Sequence, residues 1–223
     1  MLRYARDMQM LAMGYATLAG GVDAIGFLKS GGFFVSFMSG NSTRFAIGIA
    51  EAFAAAAAAG GLIALFVTGV ILNVIVSESF ATGQRKIAAT VGVAVTLLVA
   101  AAIDSLGYET IATGCLCVAM GAANAIFRRE GEVSIGVTYM TGTLVKLAHR
   151  LADRLRGQRD APWVPYLLLW LSLVVGGIAG ALSFIWSANA SLWFAAAAAS
   201  VLAVLTWRRM RLINPASGSS GGA

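Results

Sequence analysis

The chain has 223 residues, of which 59% are hydrophobic and 12% charged, and carries a net charge of +6. Soluble domains average about 45–50% apolar and about 25% charged residues, so this balance excludes an ordinary water-soluble domain and points to lipid as the solvent. The positive charge does not mark a nucleic-acid surface, because the cations fall in short clusters between apolar runs, as the positive-inside rule requires.

In chain order, six apolar runs come near the about 20 residues that cross a bilayer. They span roughly 8–28, 55–78, 87–104, 109–127, 163–186 and 191–207. Trp163, Trp186 and Trp207 fall at run ends, where interfacial aromatics belong. The first run lacks a cleavage site followed by polar chain, so it is expected to be a retained span and not a signal peptide. Two further segments, 32–50 and 133–151, are apolar but carry Ser, Thr, Gly and a cation in their middles. They are either re-entrant or short inserted helices, which leaves six spans, or full spans, which makes eight.

Loop charge favours six. With the N-terminus inside, the cations at 3, 6, 85, 86, 128, 129, 150, 154, 156, 159, 208, 209 and 211 all lie inside, and Lys29 alone is a clear outside loop cation. Eight spans would move Arg85, Lys86, Arg128 and Arg129 outside, against the rule. The expectation is an all-α integral membrane protein of the bacterial cytoplasmic membrane. It has one transmembrane domain over 1–213, both termini cytoplasmic, and a disordered Ser/Gly-rich tail at 214–223.

The chain also repeats itself. Residues 20–25, Gly-Gly-Val-Asp-Ala-Ile, align with 121–126, Gly-Ala-Ala-Asn-Ala-Ile, at an offset of 101. Residues 36–44, Ser-Phe-Met-Ser-Gly-Asn-Ser-Thr-Arg, align with 138–146, Thr-Tyr-Met-Thr-Gly-Thr-Leu-Val-Lys, at 102. The Gly-Gly pairs 60–61 and 176–177 fall on equivalent spans, out of strict register. Two units result, about 8–104 and about 109–207. Three crossings in each make the repeats inverted, and inverted repeats around a mid-membrane site recur in secondary transporters. Four crossings each would make them parallel.

These blocks carry a resemblance. Gly-Gly-Val-Asp-Ala at 20–24 followed by Phe37-Met38-Ser39-Gly40-Asn41, and Gly121-Ala122-Ala123-Asn124-Ala125 with Arg128-Arg129 and then 138–143, resemble the YoaK-like bacterial membrane proteins, domain-of-unknown-function family 1275 of the UPF0700 type. The resemblance covers the chain to about Arg211 and implies a bacterial membrane protein without an established activity. Ser39 stands where the family pattern implies Thr, which keeps the hydroxyl. Thr143 stands where the first half has Asn41, so the halves are not equivalent there.

Intramembrane polar residues are the site candidates, since a carboxylate within a span costs about 2.5–3.5 kcal/mol on insertion scales and needs a partner. Asp23 is one, with Arg44 as its expected partner, either as a proton-coupling or solute-orienting acid or as half of a structural ion pair. Arg44 and Lys146 are repeat mates, and two cations converging from the inserted segments would hold an anion beside helix N-termini near Gly40 and Gly142. The alternative is snorkelling, or pairing with Glu51 and Asp153. Ser39, Gly40 and Asn41, with Thr141, Gly142 and Thr143, are either site or close-packing residues. Asn124 replaces Asp23 in the second unit. Asn73 reads as an interhelical hydrogen bond, and Glu78 as interfacial.

No catalytic site, metal site or cofactor is expected. His149 is the single histidine, and Cys115 and Cys117 point about 200° apart on a helix. The sequence therefore favours a small-solute or ion transporter or channel with its site between the repeats, over a non-catalytic scaffold or partner subunit. Its expected partners are the lipid bilayer and a small solute or ion.

Overall fold

A computed structural model describes residues 6–129, 132–133, 136–158 and 161–213. Eight helices form among these residues: α1 Arg6–Lys29, α2 Met38–Glu51, α3 Phe53–Glu78, α4 Arg85–Ser105, α5 Glu109–Asn124, α6 Met140–Leu155, α7 Val164–Trp186 and α8 Ala188–Ile213. The fold is all-helical apart from a two-residue antiparallel pair, Arg128 with Val133 and Arg129 with Glu132, which the sequence did not announce. Five helices, α1, α3, α4, α7 and α8, are long and apolar enough to cross a membrane. The tail at 214–223 lies outside the described residues, as do Arg3 and Arg159.

Small residues set the packing. α1 buries Ala12, Ala16 and Ala19, α5 buries Ala119, Ala122 and Ala123, and α8 buries Ala196, Ala199 and Ala203. Lipid tails give no hydrophobic drive between helices, so close van der Waals approach through small side chains takes its place. Large apolar groups point outward instead. Val67, Ile71 and Ile75 on α3, and Val175, Ile178, Leu182 and Ile185 on α7, are exposed. Such continuous apolar surface suits a bilayer and would be a liability in water.

Glycines carry two crossings. A side chain at Gly176 would overlap the carbonyl of Thr17, one at Gly20 that of Leu173, and one at Gly180 that of Gly21. This joins α1 to α7, running in the same direction. On α3 and α5, a side chain at Gly69 would overlap the carbonyl of Val118, and one at Gly121 that of Phe66. These two helices also run in the same direction. Asn73 binds there as expected, donating to the carbonyl of Ala122 at 2.6 Å and to that of Ala89 at 3.3 Å.

Charged and aromatic contacts identify the two ends of the bundle. At one end Arg209 meets Asp7, so the end of α8 lies beside the start of α1. At the same end Lys86 lies 5.5 Å from the Phe127 ring centre, joining the start of α4 to the chain just after α5. At the other end Lys29 meets Asp104 and Glu109, and Trp193 donates to Ser105 at 3.0 Å. Thus α1, α4 and α7 run one way, and α3, α5 and α8 run the other.

The segment between α1 and α3 folds back on the bundle. After Lys29 the chain turns at Gly31 and Gly32, whose φ of 70° and 112° favour glycine. It then runs back along α1 until Val35 lies against Gly26. The retreat covers roughly 9 Å, at about 1.5 Å per helical residue. From there α2 climbs outward, ends at the extended residue Ala52, and lies antiparallel against α3, with Gly48 on the Ala55–Ala56 backbone and Phe45 on Gly60.

The second half differs. α6 packs on α7 but buries only Thr143 and Leu147. Its exposed leucines, Leu144, Leu151 and Leu155, share one side, while Lys146, His149 and Arg150 lie on the other. The helix is amphipathic, with an apolar and a basic side.

The crossings predict a sharp contrast among glycines. Gly176→Val and Gly121→Val must push backbone from backbone, at a cost of at least about 1–3 kcal/mol. Gly61→Ala meets nothing within 4 Å. Melting in detergent is expected to show a large loss for the first two and little change for the third.

Candidate functional site

Backbone leaving a helix inside a membrane exposes N–H and C=O groups that lipid cannot satisfy. Two of the motif side chains satisfy such groups in the loop between α1 and α2. Asp23 Oδ1 accepts the N–H of Val35 at 2.8 Å and of Ser36 at 2.7 Å. Asn41 Oδ1 accepts the N–H of Phe34 at 3.0 Å, and its Nδ2 donates to the Phe34 carbonyl at 2.6 Å. Asn41 is fully buried. Asp23 also lines an apolar cavity of about 350 Å³ between α1 and α7, with Gly20, Phe27, Phe34 and Leu173 among its walls.

Arg44 is not the partner of Asp23. Its guanidinium lies 5.2 Å from the Phe33 ring centre and 5.9 Å from that of Phe27. The reason is geometric: α2 begins at Met38, so residue 44 stands nearly two turns beyond the loop that Asp23 holds. Ser39 and Gly40 occupy the first turn of α2, with Gly40 making room for the Phe34 and Phe37 rings.

The equivalent positions of the second half are used differently. Asn124 Oδ1 accepts the Thr138 hydroxyl at 3.1 Å, and its Nδ2 donates to the Met120 carbonyl at 3.0 Å. Thr143 is buried and donates to the Tyr139 carbonyl at 3.1 Å. Thr141 and Gly142 lie exposed in the first turn of α6, with open space beside Gly142. Lys146 is exposed on α6. Arg44 and Lys146 therefore do not converge. α1 and α5 run in opposite directions, so the segments that follow them stand at opposite ends of the bundle. Asp153 lies 3.8 Å from Arg150. The matching of Gly60–Gly61 with Gly176–Gly177 also gives way, because Gly176 takes the same kind of backbone contact as Gly69.

The sequence reading missed a charged cluster. Lys29, expected as a loop cation, is buried, with 3% of its side chain exposed. Its ammonium lies 2.9 Å from Asp104 Oδ1, whose side chain is 1% exposed, and 3.5 Å from Glu109 Oε1, which is open to solvent. Each of the three residues sits at the end of an apolar run. The signal was that, in the six-span order, those three ends fall on one side of the membrane. Neighbouring walls from α3 and α5 complete a cavity of about 400 Å³ that Lys29 and Glu109 line. Among the described residues no three His, Cys, Asp or Glu side chains group as metal ligands would. Cys115 and Cys117 are free thiols.

Two substitutions at Asp23 separate its hydrogen bonding from its charge. Asp23→Ala leaves two N–H groups without their acceptor, which costs about 1–3 kcal/mol. Asp23→Asn keeps an acceptor oxygen and is expected to lose less than half as much. Melting in detergent reads both, and an alanine variant as stable as the parent would contradict the bonding scheme.

A family model described as a protein of unknown function, DUF1275, matches residues 11–205. A UPF0700 transmembrane protein, RA0705, of Rhizobium meliloti (strain 1021), is 34% identical over 186 residues, covering 83% of this chain and 80% of its own length. No solved structure matches the chain significantly.

Proposed function

The chain belongs to the DUF1275 family, and on that premise we propose that it is a small-solute or ion transporter or channel of the bacterial cytoplasmic membrane. It is built as two inverted repeats that cross the membrane six times, with both termini in the cytoplasm. The observation that carries this reading is the match between the two glycine crossings. Thr17 against Gly176 corresponds to Val118 against Gly69, and Gly20 against Leu173 corresponds to Gly121 against Phe66. Corresponding residues are 101 apart on α1 and α5 and 107 apart on α3 and α7. Gly21 against Gly180 corresponds to Ala122 bonded to Asn73.

Helix directions support the same plan. α1, α3 and α4 alternate, and α5, α7 and α8 repeat the alternation with opposite sense, which is the arrangement of inverted-repeat transporters. α5 followed by the turn to Phe127 supplies the sixth crossing, and α2 and α6 are inserted or interfacial. Charge supports the orientation. Arg85, Lys86, Arg208, Arg209 and Arg211 gather at the end that holds the start of α1 and the end of α8, and the opposite end holds Lys29 in an ion pair. Under the positive-inside rule the first end is cytoplasmic.

The role is read as non-catalytic, since His149 lies exposed on α6 and the motif acid Asp23 holds backbone. The bonding of Asp23 and Asn41 also favours a second reading, a scaffold whose motifs only shape the chain. Flux separates the two. Purified protein in liposomes is expected to speed the entry of at least one of ethylammonium, acetate, urea, glycerol, sodium or potassium by about tenfold over protein-free liposomes, and Gly176→Val to abolish the increase. Folded protein that speeds none of them would favour the scaffold.

A further inference from the structure

At the end of the bundle opposite the start of α1, the described structure places two carboxylates around one ammonium. The formal charge of Asp104, Glu109 and Lys29 together is one negative. Asp104 is buried, and neither of its oxygens has a hydrogen-bond partner of good geometry beyond the charge contact with Lys29. The cluster therefore retains both negative charge and unfilled acceptor capacity, at a depth where such groups are costly and are matched by a partner.

The adjoining cavity extends that character. Its volume is about 400 Å³, and Lys29, Ser30, Glu109, Thr110 and Thr113 line it beside apolar walls that include Phe33, Leu62 and Leu65. The hydroxyl of Thr113 donates to the Glu109 carbonyl at 2.9 Å, and that of Ser30 donates to the Phe33 carbonyl at 2.9 Å. With their protons committed, both oxygens can only accept from a ligand, and the Ser30 oxygen already takes the Phe33 N–H at 3.0 Å, which leaves Thr113 the freer acceptor. Asp104 lies behind Lys29, outside the lining, and offsets its charge, so the Glu109 carboxylate and the acceptor oxygens in the wall favour a cation. The apolar walls select one with a carbon body over a bare metal ion. The chain itself shows which head group these carboxylates take, because the group already between them is a primary ammonium.

The geometry points to a binding site for a short primary alkylammonium in the cavity between the end of α1 and the starts of α3 and α5, with Glu109 as its charge partner and Thr113 as an acceptor. This deepens the transport reading by naming a solute class, and it rests on that reading for its place on the outer face of the membrane. Binding itself can be measured without flux.

Calorimetry on the full-length protein in detergent, with ethylammonium chloride as the probe and sodium chloride at matched ionic strength as the control, tests the site. Saturable binding of ethylammonium, absent with sodium and with sodium propionate, is expected. Glu109→Gln, at a residue whose side chain is 65% exposed and so does not endanger folding, is expected to weaken binding at least about tenfold. Thr113→Val is expected to weaken it several-fold. No saturable heat with folded parent protein, or equal affinity in Glu109→Gln, overturns the site. Ethylammonium that binds but does not cross liposomes contradicts the transport reading and leaves the site standing. Flux of another solute without ethylammonium binding contradicts the site alone.

Discussion

At the α1–α7 and α3–α5 crossings backbone meets backbone, and every other position in the bundle is set by how close those helices come. Glycine at 20, 69, 121 and 176 leaves room for a carbonyl of the facing helix, where any side chain would overlap it. In lipid there is no hydrophobic gain from joining two apolar helices, so the stabilisation must come from dispersion over a close, well-fitted surface. The outward faces of α3 and α7 are then free to carry large apolar side chains to the bilayer. α4 and α8, which pack on each other, fill the space between the two crossed pairs.

The loop between α1 and α2 folds back along α1. Backbone that leaves a helix among packed helices must bring its own partners. Asp23 and Asn41 are those partners, one from the helix before the loop and one from the helix after it. The carboxylate is suited to the task because it is acceptor-only when ionised and can take two N–H groups on one oxygen. The second half spans its corresponding gap with a neutral pair, Asn124 and Thr138, and leads into an exposed, basic α6. The difference between Asn41 and Thr143 therefore has a structural counterpart: Asn41 holds the Phe34 backbone, whereas Thr143 bonds within its own helix.

Much of the fold was legible in the sequence because hydrophobic length is a strong signal in membranes. The six runs overlap α1, α3, α4, α5, α7 and α8, of which α5, at 16 residues, is not among the five helices long enough to cross, and the two mixed segments overlap α2 and α6. Asn73 could be read as an interhelical donor because an amide deep in a span has few alternatives. Partner choice was less legible. Arg44 seemed the natural mate for Asp23 because their segments adjoin, yet the backbone between them lies nearer and uses the carboxylate first. Lys29 seemed a loop cation because it ends an apolar run, yet its partners, Asp104 and Glu109, lie more than 70 residues away. A single sequence carries local pattern well and long-range pairing poorly, so the offset between the two motif blocks gave no sign of which side chains meet.

The account stands most directly on the number and sense of the crossings. A membrane-impermeant maleimide applied to intact cells tests this, with Cys115 and Cys117 replaced by alanine and one new cysteine introduced at a time. Leu106→Cys lies in the exposed turn between α4 and α5, and Gln158→Cys lies just beyond α6. The six-crossing inverted plan predicts that position 106 is labelled from outside and position 158 only after the membrane is opened. Labelling of both positions from the same side would contradict it and would require eight spans in parallel repeats.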